Sequence, residues 1–215
     1  MSGFFWYTAF LGILIAAWYD QVYLGSSHTH SHKFVKKLTS LEWLSLHSCI
    51  AYILISVIYA LKPNWFKVKT VSVAYLGTLS LAVQAFLWNG LMSYSKESED
   101  IESIENIEKL GGMSILSKIV IEGGIPVILV LDGALMNRKY ERLSGKLLMV
   151  FDIYMAGWYG MIQNFCRNAT RGYSYEIIDT LDSNYKYGLL ALMALSGFLI
   201  KLGANSLLSP SPRLT

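Results

Sequence analysis

The chain has 215 residues, of which 53% are hydrophobic and 15% charged, with a net charge of +3. Its apolar residues come in long blocks without a short amphipathic repeat, which excludes an ordinary soluble globule. The small, scattered positive charge, with no basic stripe carrying interleaved aromatics, excludes nucleic acid as a partner.

About 20 mostly apolar residues cross a bilayer, and six stretches approach that length: 4–19, 41–61, 71–94, 115–136, 147–165 and 187–208. They predict an all-α, polytopic membrane protein, one transmembrane helical domain over residues 1–215, surrounded by membrane lipids. The first span has no basic residue ahead of it and no small-residue cleavage pattern, so it is expected to stay attached. Trp6, Tyr7, Trp18, Tyr19, Trp43, Trp65, Tyr94 and Tyr187 cluster at span edges, where amphipathic rings sit at headgroup level.

After the first span, His28, His30 and His32 alternate, so an extended segment would place them on one face. With no carboxylate paired nearby, a histidine-rich loop is the preferred reading over a metal site. Cys49 and Cys166 belong to no CxxC or metal-type spacing and are expected as buried free thiols. No metal and no cofactor is expected.

The second span opens with Lys36-Lys37-Leu38-Thr39-Ser40-Leu41-Glu42-Trp43. A hydroxyl at 39 or 40 followed by Glu42 is an ordinary helix start, the hydroxyl capping a free amide and the acid complementing the dipole. His47 lies near the same helical face as Ser40 and Thr39, where an intramembrane imidazole either packs through a hydrogen bond or orients and deprotonates a hydroxyl. The connection 95–114 is acidic, with Ile101, Ile104 and Ile107 at three-residue spacing; a solvated loop is preferred over a surface helix.

The fourth span carries Lys118, Glu122 and Asp132 and the run Glu122-Gly123-Gly124-Ile125-Pro126. A charge near the membrane centre costs roughly 2.5–3.5 kcal/mol. Pro126 cannot bond the carbonyl of Glu122, four residues back, so a helix break is expected there. Lys118 and Asp132 lie toward the span's two ends, which leaves Glu122 as the deep carboxylate.

Basic residues in tight loops, Lys62, Lys67, Lys69, Arg138, Lys139, Arg142 and Lys146, predict that this side and both termini are cytoplasmic. The opposite side then receives residues 97–108 and the Asn168-Ala169-Thr170 sequon. Lys33, Lys36 and Lys37 fall on that same side, against the rule.

The order of these features resembles the androgen-induced and androgen-dependent protein family, small six-span proteins of the endoplasmic reticulum and other membranes. The residues carrying the resemblance are Lys33-Phe34 and Lys37-Leu38-Thr39 at the second span, Gly123-Gly124-Ile125-Pro126 through Asp132 in the fourth, and Trp158-Tyr159-Gly160-Met161 through Arg171-Gly172-Tyr173. Members hydrolyse fatty-acid esters of hydroxy fatty acids with a membrane-embedded threonine and a histidine. The resemblance implies an endoplasmic reticulum location, a lipid-ester substrate, and Thr39 as nucleophile. All four histidines precede residue 48, so the family's fourth-span histidine has no counterpart, and Glu122 falls in its place.

Two classes of function follow. In the first, Thr39 attacks an ester carbonyl, Glu122 or His47 takes its proton, and Gln84, Asn89 or amides freed at the fourth-span break stabilise the oxyanion. In the second, the protein is an inactive scaffold or a subunit of a membrane complex, with Lys118 and Glu122 fixing helix register beside a membrane protein partner. Transport ranks third, because the glycine-proline break lacks a matching broken helix elsewhere.

Overall fold

The computed structural model describes residues 2–27, 35, 38–96, 119–135 and 140–208; all regular structure among them is helical. The long helices are α1 (Ser2–Ser27), α2 (Leu41–Leu61), α3 (Val68–Lys96), α4 (Ile125–Leu135), α5 (Gly145–Thr170) and α7 (Ser183–Leu207), with a short α6 (Glu176–Thr180). Three helical segments, Leu41–Leu61, Val68–Trp88 and Ser183–Leu207, are long and apolar enough to cross a membrane by length and composition. That fits an integral membrane protein.

Pro63 stops α2, and a single turn, Pro63–Trp65, returns the chain as α3, which packs along α2. Helix α1 packs on α2, while α7 packs on both α3 and α5. The larger apolar core lies among α1 to α4 and includes Leu14, Leu46, Ile53, Leu76, Ile125 and Leu129. Leu41, Ala85, Tyr159 and Met193 form a smaller one.

Where a break was expected, the helix continues as a five-residue π turn, Val120–Gly124, directly into α4. The amide of Ile125 reaches back to the carbonyl of Val120. Widening the turn by one residue accommodates a proline at 126 without interrupting the helical path.

Two of the expected edge aromatics are core residues instead: Tyr7 and Trp43 are fully buried, whereas Tyr19, Trp65 and Tyr187 are exposed. Much of the described helix exterior is apolar. Val130, Val150, Ile153, Phe165, Leu195 and Leu199 all face outward, while Ser72, Gln84, Asp132, Asp152, Gln163 and Lys201 are buried.

One end of the bundle gathers the short connections. Lys69 lies 3.9 Å from Glu141, Ser72 accepts from the Glu141 amide, and Arg142 donates to the carbonyls of Ser206 and Leu208. Asn205 both donates to and accepts from the backbone of Leu143.

Candidate functional site

At the opposite end, Thr39 is 7% exposed and sits just before α2. Its hydroxyl donates to the carbonyl of Val35 at 3.0 Å and lies 2.5 Å from the hydroxyl of Ser174. Gln163 on α5 braces the junction: its amide donates to the Thr39 carbonyl at 2.9 Å, and its oxygen accepts from the Ser174 amide at 3.2 Å. The Cys166 thiol lies 3.7 Å from the Ser174 hydroxyl, and both cysteines are buried free thiols.

Ser40 is the residue before the first turn of α2, yet its side chain makes no capping bond. The amide of Leu41 instead donates to the Tyr175 hydroxyl at 3.0 Å. A free helix amide is thus satisfied from another segment. Burial, and then the nearby Glu42 carboxylate, push the Tyr175 phenol above its ordinary pKa, against the bond from Leu41.

The other expected site residues are placed elsewhere or lie outside the described side chains. His47 is exposed, with Nδ1 2.7 Å from the Trp43 carbonyl and Nε2 accepting from the Trp18 indole at 3.2 Å. Those contacts join α1 to α2, and the structure does not bring His47 into hydrogen-bond contact with Thr39. The backbone of Glu122 lies in the π turn; its side chain, that of Asn89, and the whole of Lys118 are outside the described residues, as are His28, His30, His32 and 97–114. Gln84, a candidate oxyanion donor, bonds the Met193 carbonyl at 3.0 Å and so ties α3 to α7.

Asp132 is the deepest carboxylate described, only 1% exposed. Tyr7 from α1 donates to one of its oxygens at 2.9 Å; Tyr52 from α2 and Tyr140, at 2.6 Å, donate to the other. Tyr75 stacks on Tyr140 with ring centroids 4.4 Å apart. Tyr140, from beyond the fourth span, folds back over Asp132, so that the carboxylate is buried within the protein although it lies toward that span's end. This arrangement satisfies the carboxylate from three directions and locks α1, α2 and α4 together.

A buried charge pair joins α5 and α7. Lys201 is ion-paired with Asp152 Oδ1 in the interior, while Asp152 Oδ2 and the Tyr159 hydroxyl are buried without a hydrogen-bond partner among the described residues. Asp152, Tyr159 and Lys201 line a cavity of about 50 Å³ whose other walls are mostly apolar. A larger cavity, about 200 Å³, lies between α5 and the start of α7 and is lined by Gln163, Asn164, Arg167, Tyr173 and Lys186. Among the described residues, no group of three His, Cys, Asp or Glu side chains is placed to hold a metal ion.

No protein family, curated protein or solved structure matches this chain.

Asp152 and Lys201 were not singled out from sequence, although the signal was present: one acid and one base, each alone deep in an otherwise apolar span. Ser174, Gln163 and Cys166 carried no comparable signal. Serine and glutamine are common at helix ends, and nothing in their spacing points to residue 39.

Proposed function

We infer that the protein is a six-span integral membrane protein, resident in the endoplasmic reticulum, that hydrolyses a lipid ester with Thr39 as nucleophile. The observation that supports this reading is the meeting of two distant segments that carry the family resemblance. Thr39, at the entry to α2, lies against the end of α5 and the loop after it, where Ser174 and Gln163 hold its hydroxyl and carbonyl. Hydrolysis by this route proceeds by attack of Oγ1 on the ester carbonyl, loss of the alcohol and release of the acyl group from Thr39 by water. Since both His47 nitrogens are engaged by the Trp18 indole and the Trp43 carbonyl, the base is assigned to Glu122, in the position of the family's histidine.

A serine/threonine-directed fluorophosphonate tests this on detergent-solubilised protein. Wild type should be labelled, Thr39→Ala should lose labelling, and Thr39→Ser should retain it. Undiminished labelling of the alanine variant removes Thr39 from the mechanism.

The scaffold reading is favoured by a different observation. Asp132 joins α1, α2 and α4 through buried polar contacts and the Asp152–Lys201 pair joins α5 to α7, an arrangement that fixes packing and needs no substrate. A folded wild-type protein that takes up no probe supports that alternative.

A further inference from the structure

The two cavities beside α5 share Tyr159, Leu190 and Met193 as walls. They therefore adjoin across these three side chains as a two-part slot along α5 and α7, closed on its deeper side by α2 and α3, with chemically different ends. Toward the bundle end it is cationic: Arg167 and Lys186 both lie over the ring of Tyr173, at 5.5 and 4.9 Å from its centroid. Neither cation is paired with a carboxylate among the described residues. Deeper in, Leu44, Leu81, Phe151, Met155 and Trp158 make most of the wall apolar, around the paired Asp152 and Lys201. Tyr159, which lines both parts, is 7% exposed, and its buried hydroxyl has no hydrogen-bond partner among the described residues.

We propose that this slot binds a single-chain lipid with a phosphate-monoester head, the phosphate on Arg167 and Lys186, the linker oxygen on Tyr159, and the acyl chain between α5 and α7. Charge balance selects the head group. Two cations face the cavity, and a phosphate monoester carries about −1.5 to −2 at neutral pH, whereas a fatty-acid carboxylate neutralises only one of them. Arg adds a planar fork suited to phosphate oxygens, and the aromatic ring between the two cations holds both in place.

Length agrees with this assignment. Tyr159 and Arg167 are eight residues apart on α5, about 12 Å of helix rise, which the Arg167 side chain and a glycerol-phosphate ester linkage together cover. The unpartnered phenol then gains an ester or glycerol oxygen, removing a buried polar group that is otherwise costly to leave unpaired. This binding is separate from hydrolysis at Thr39 and stands or falls independently of it.

The test uses purified full-length protein in a neutral detergent, with oleoyl lysophosphatidic acid, oleoyl lysophosphatidylcholine and oleate as probes, read by native mass spectrometry. Lysophosphatidic acid should bind about tenfold more tightly than either of the others, as one additional charge-assisted contact allows. The Arg167→Gln/Lys186→Gln variant should lose that preference, and Tyr159→Phe should weaken binding while keeping it. Both cations are at least partly exposed, so their replacement leaves the core intact. Inorganic phosphate should compete only weakly, because it lacks the chain. Equal binding of oleate, or a preference that survives in the double glutamine variant, overturns the proposal; full competition by inorganic phosphate reduces the site to an anion site and overturns the lipid assignment.

Discussion

Asp132 shows how far a single residue's role depends on neighbours that its own span does not contain. Sequence position places it near a span boundary, where a carboxylate reaches water; in the fold, Tyr7, Tyr52 and Tyr140 converge on it from three segments. Thr39 and His47 were legible as unusual polar residues, but not their partners. Ser174 and Trp18 reach them through tertiary packing across 135 and 29 residues of sequence, respectively. The tyrosine nest has a consequence for alkaline stability. Burial first, then the phenol of Tyr52 and the carboxylate of Asp132, push the Tyr140 phenol well above its ordinary value. An unfolded phenol loses its proton near pH 10, whereas folded Tyr140 keeps it, so above that pH the native state binds more protons. Stability must then fall as pH rises, by up to about 1.4 kcal/mol per pH unit for each such phenol, and be unaffected by it well below pH 10. Thermal unfolding in detergent from pH 8 to 11.5 should therefore show a shallower alkaline loss for Tyr140→Phe than for wild type. The slope is the readout, since the variant also starts lower through its missing hydroxyl; identical slopes would refute the assignment.

At the scale of elements, helix positions were largely readable because apolar blocks and helices are governed by the same requirement, internal satisfaction of backbone groups away from water. The second span, 41–61, coincides with α2, and the fifth and sixth are shorter than α5 and α7. These helices continue past the apolar block into polar residues, which hydropathy does not count. The π turn was not readable, because glycines and a proline are equally compatible with a break, a kink or a widened turn. Helix pairing was also hidden, and glycine illustrates why. On α7, a Cβ at Gly197 would collide with the side-chain amide of Gln84 and come within 3.2 Å of Asp152 Oδ1 and 3.3 Å of Ser80 Oγ. At Gly203, on the same helix, nothing lies within 4 Å. Gly197→Ala should displace Gln84 from the Met193 carbonyl and separate α7 from α3, at a cost of about 1–3 kcal/mol. Gly203→Ala should be neutral or stabilising by up to about 1 kcal/mol through helix propensity. Thermal midpoints of the two variants compared with wild type check this, and an undestabilised Gly197→Ala protein would show that close approach at this glycine is not required.

Among the described residues, large aliphatic and aromatic side chains cover the outer faces of α4, α5 and α7 while a set of polar groups meets between helices beside the apolar core. Contiguous exposed apolar surface of this kind calls for lipid. The described helices are arranged so that their connections gather at two ends. The segments around Lys69, Glu141 and Leu208 meet at one end, joined by Lys69–Glu141 and the Arg142 and Asn205 contacts, while Thr39, Gln163 and Ser174 meet at the other. The end that holds Lys62, Lys67, Lys69, Arg142 and Lys146 should face the cytoplasm by the positive-inside rule, although Arg167, Arg171 and Lys186 near the other end weaken the contrast. Cysteine labelling separates the two ends cleanly, because both native cysteines are buried and free and offer a membrane-impermeant maleimide little access. Asn64 and Ser183 are exposed and lie in the connection after α2 and at the start of α7, respectively. In sealed microsomes with their cytoplasmic face outward, Asn64→Cys should react at once and Ser183→Cys only after permeabilisation. The reverse order would invert the orientation while keeping the topology. Immediate reaction of both would place the two ends on one side, and the bundle would then not span the membrane with these helices.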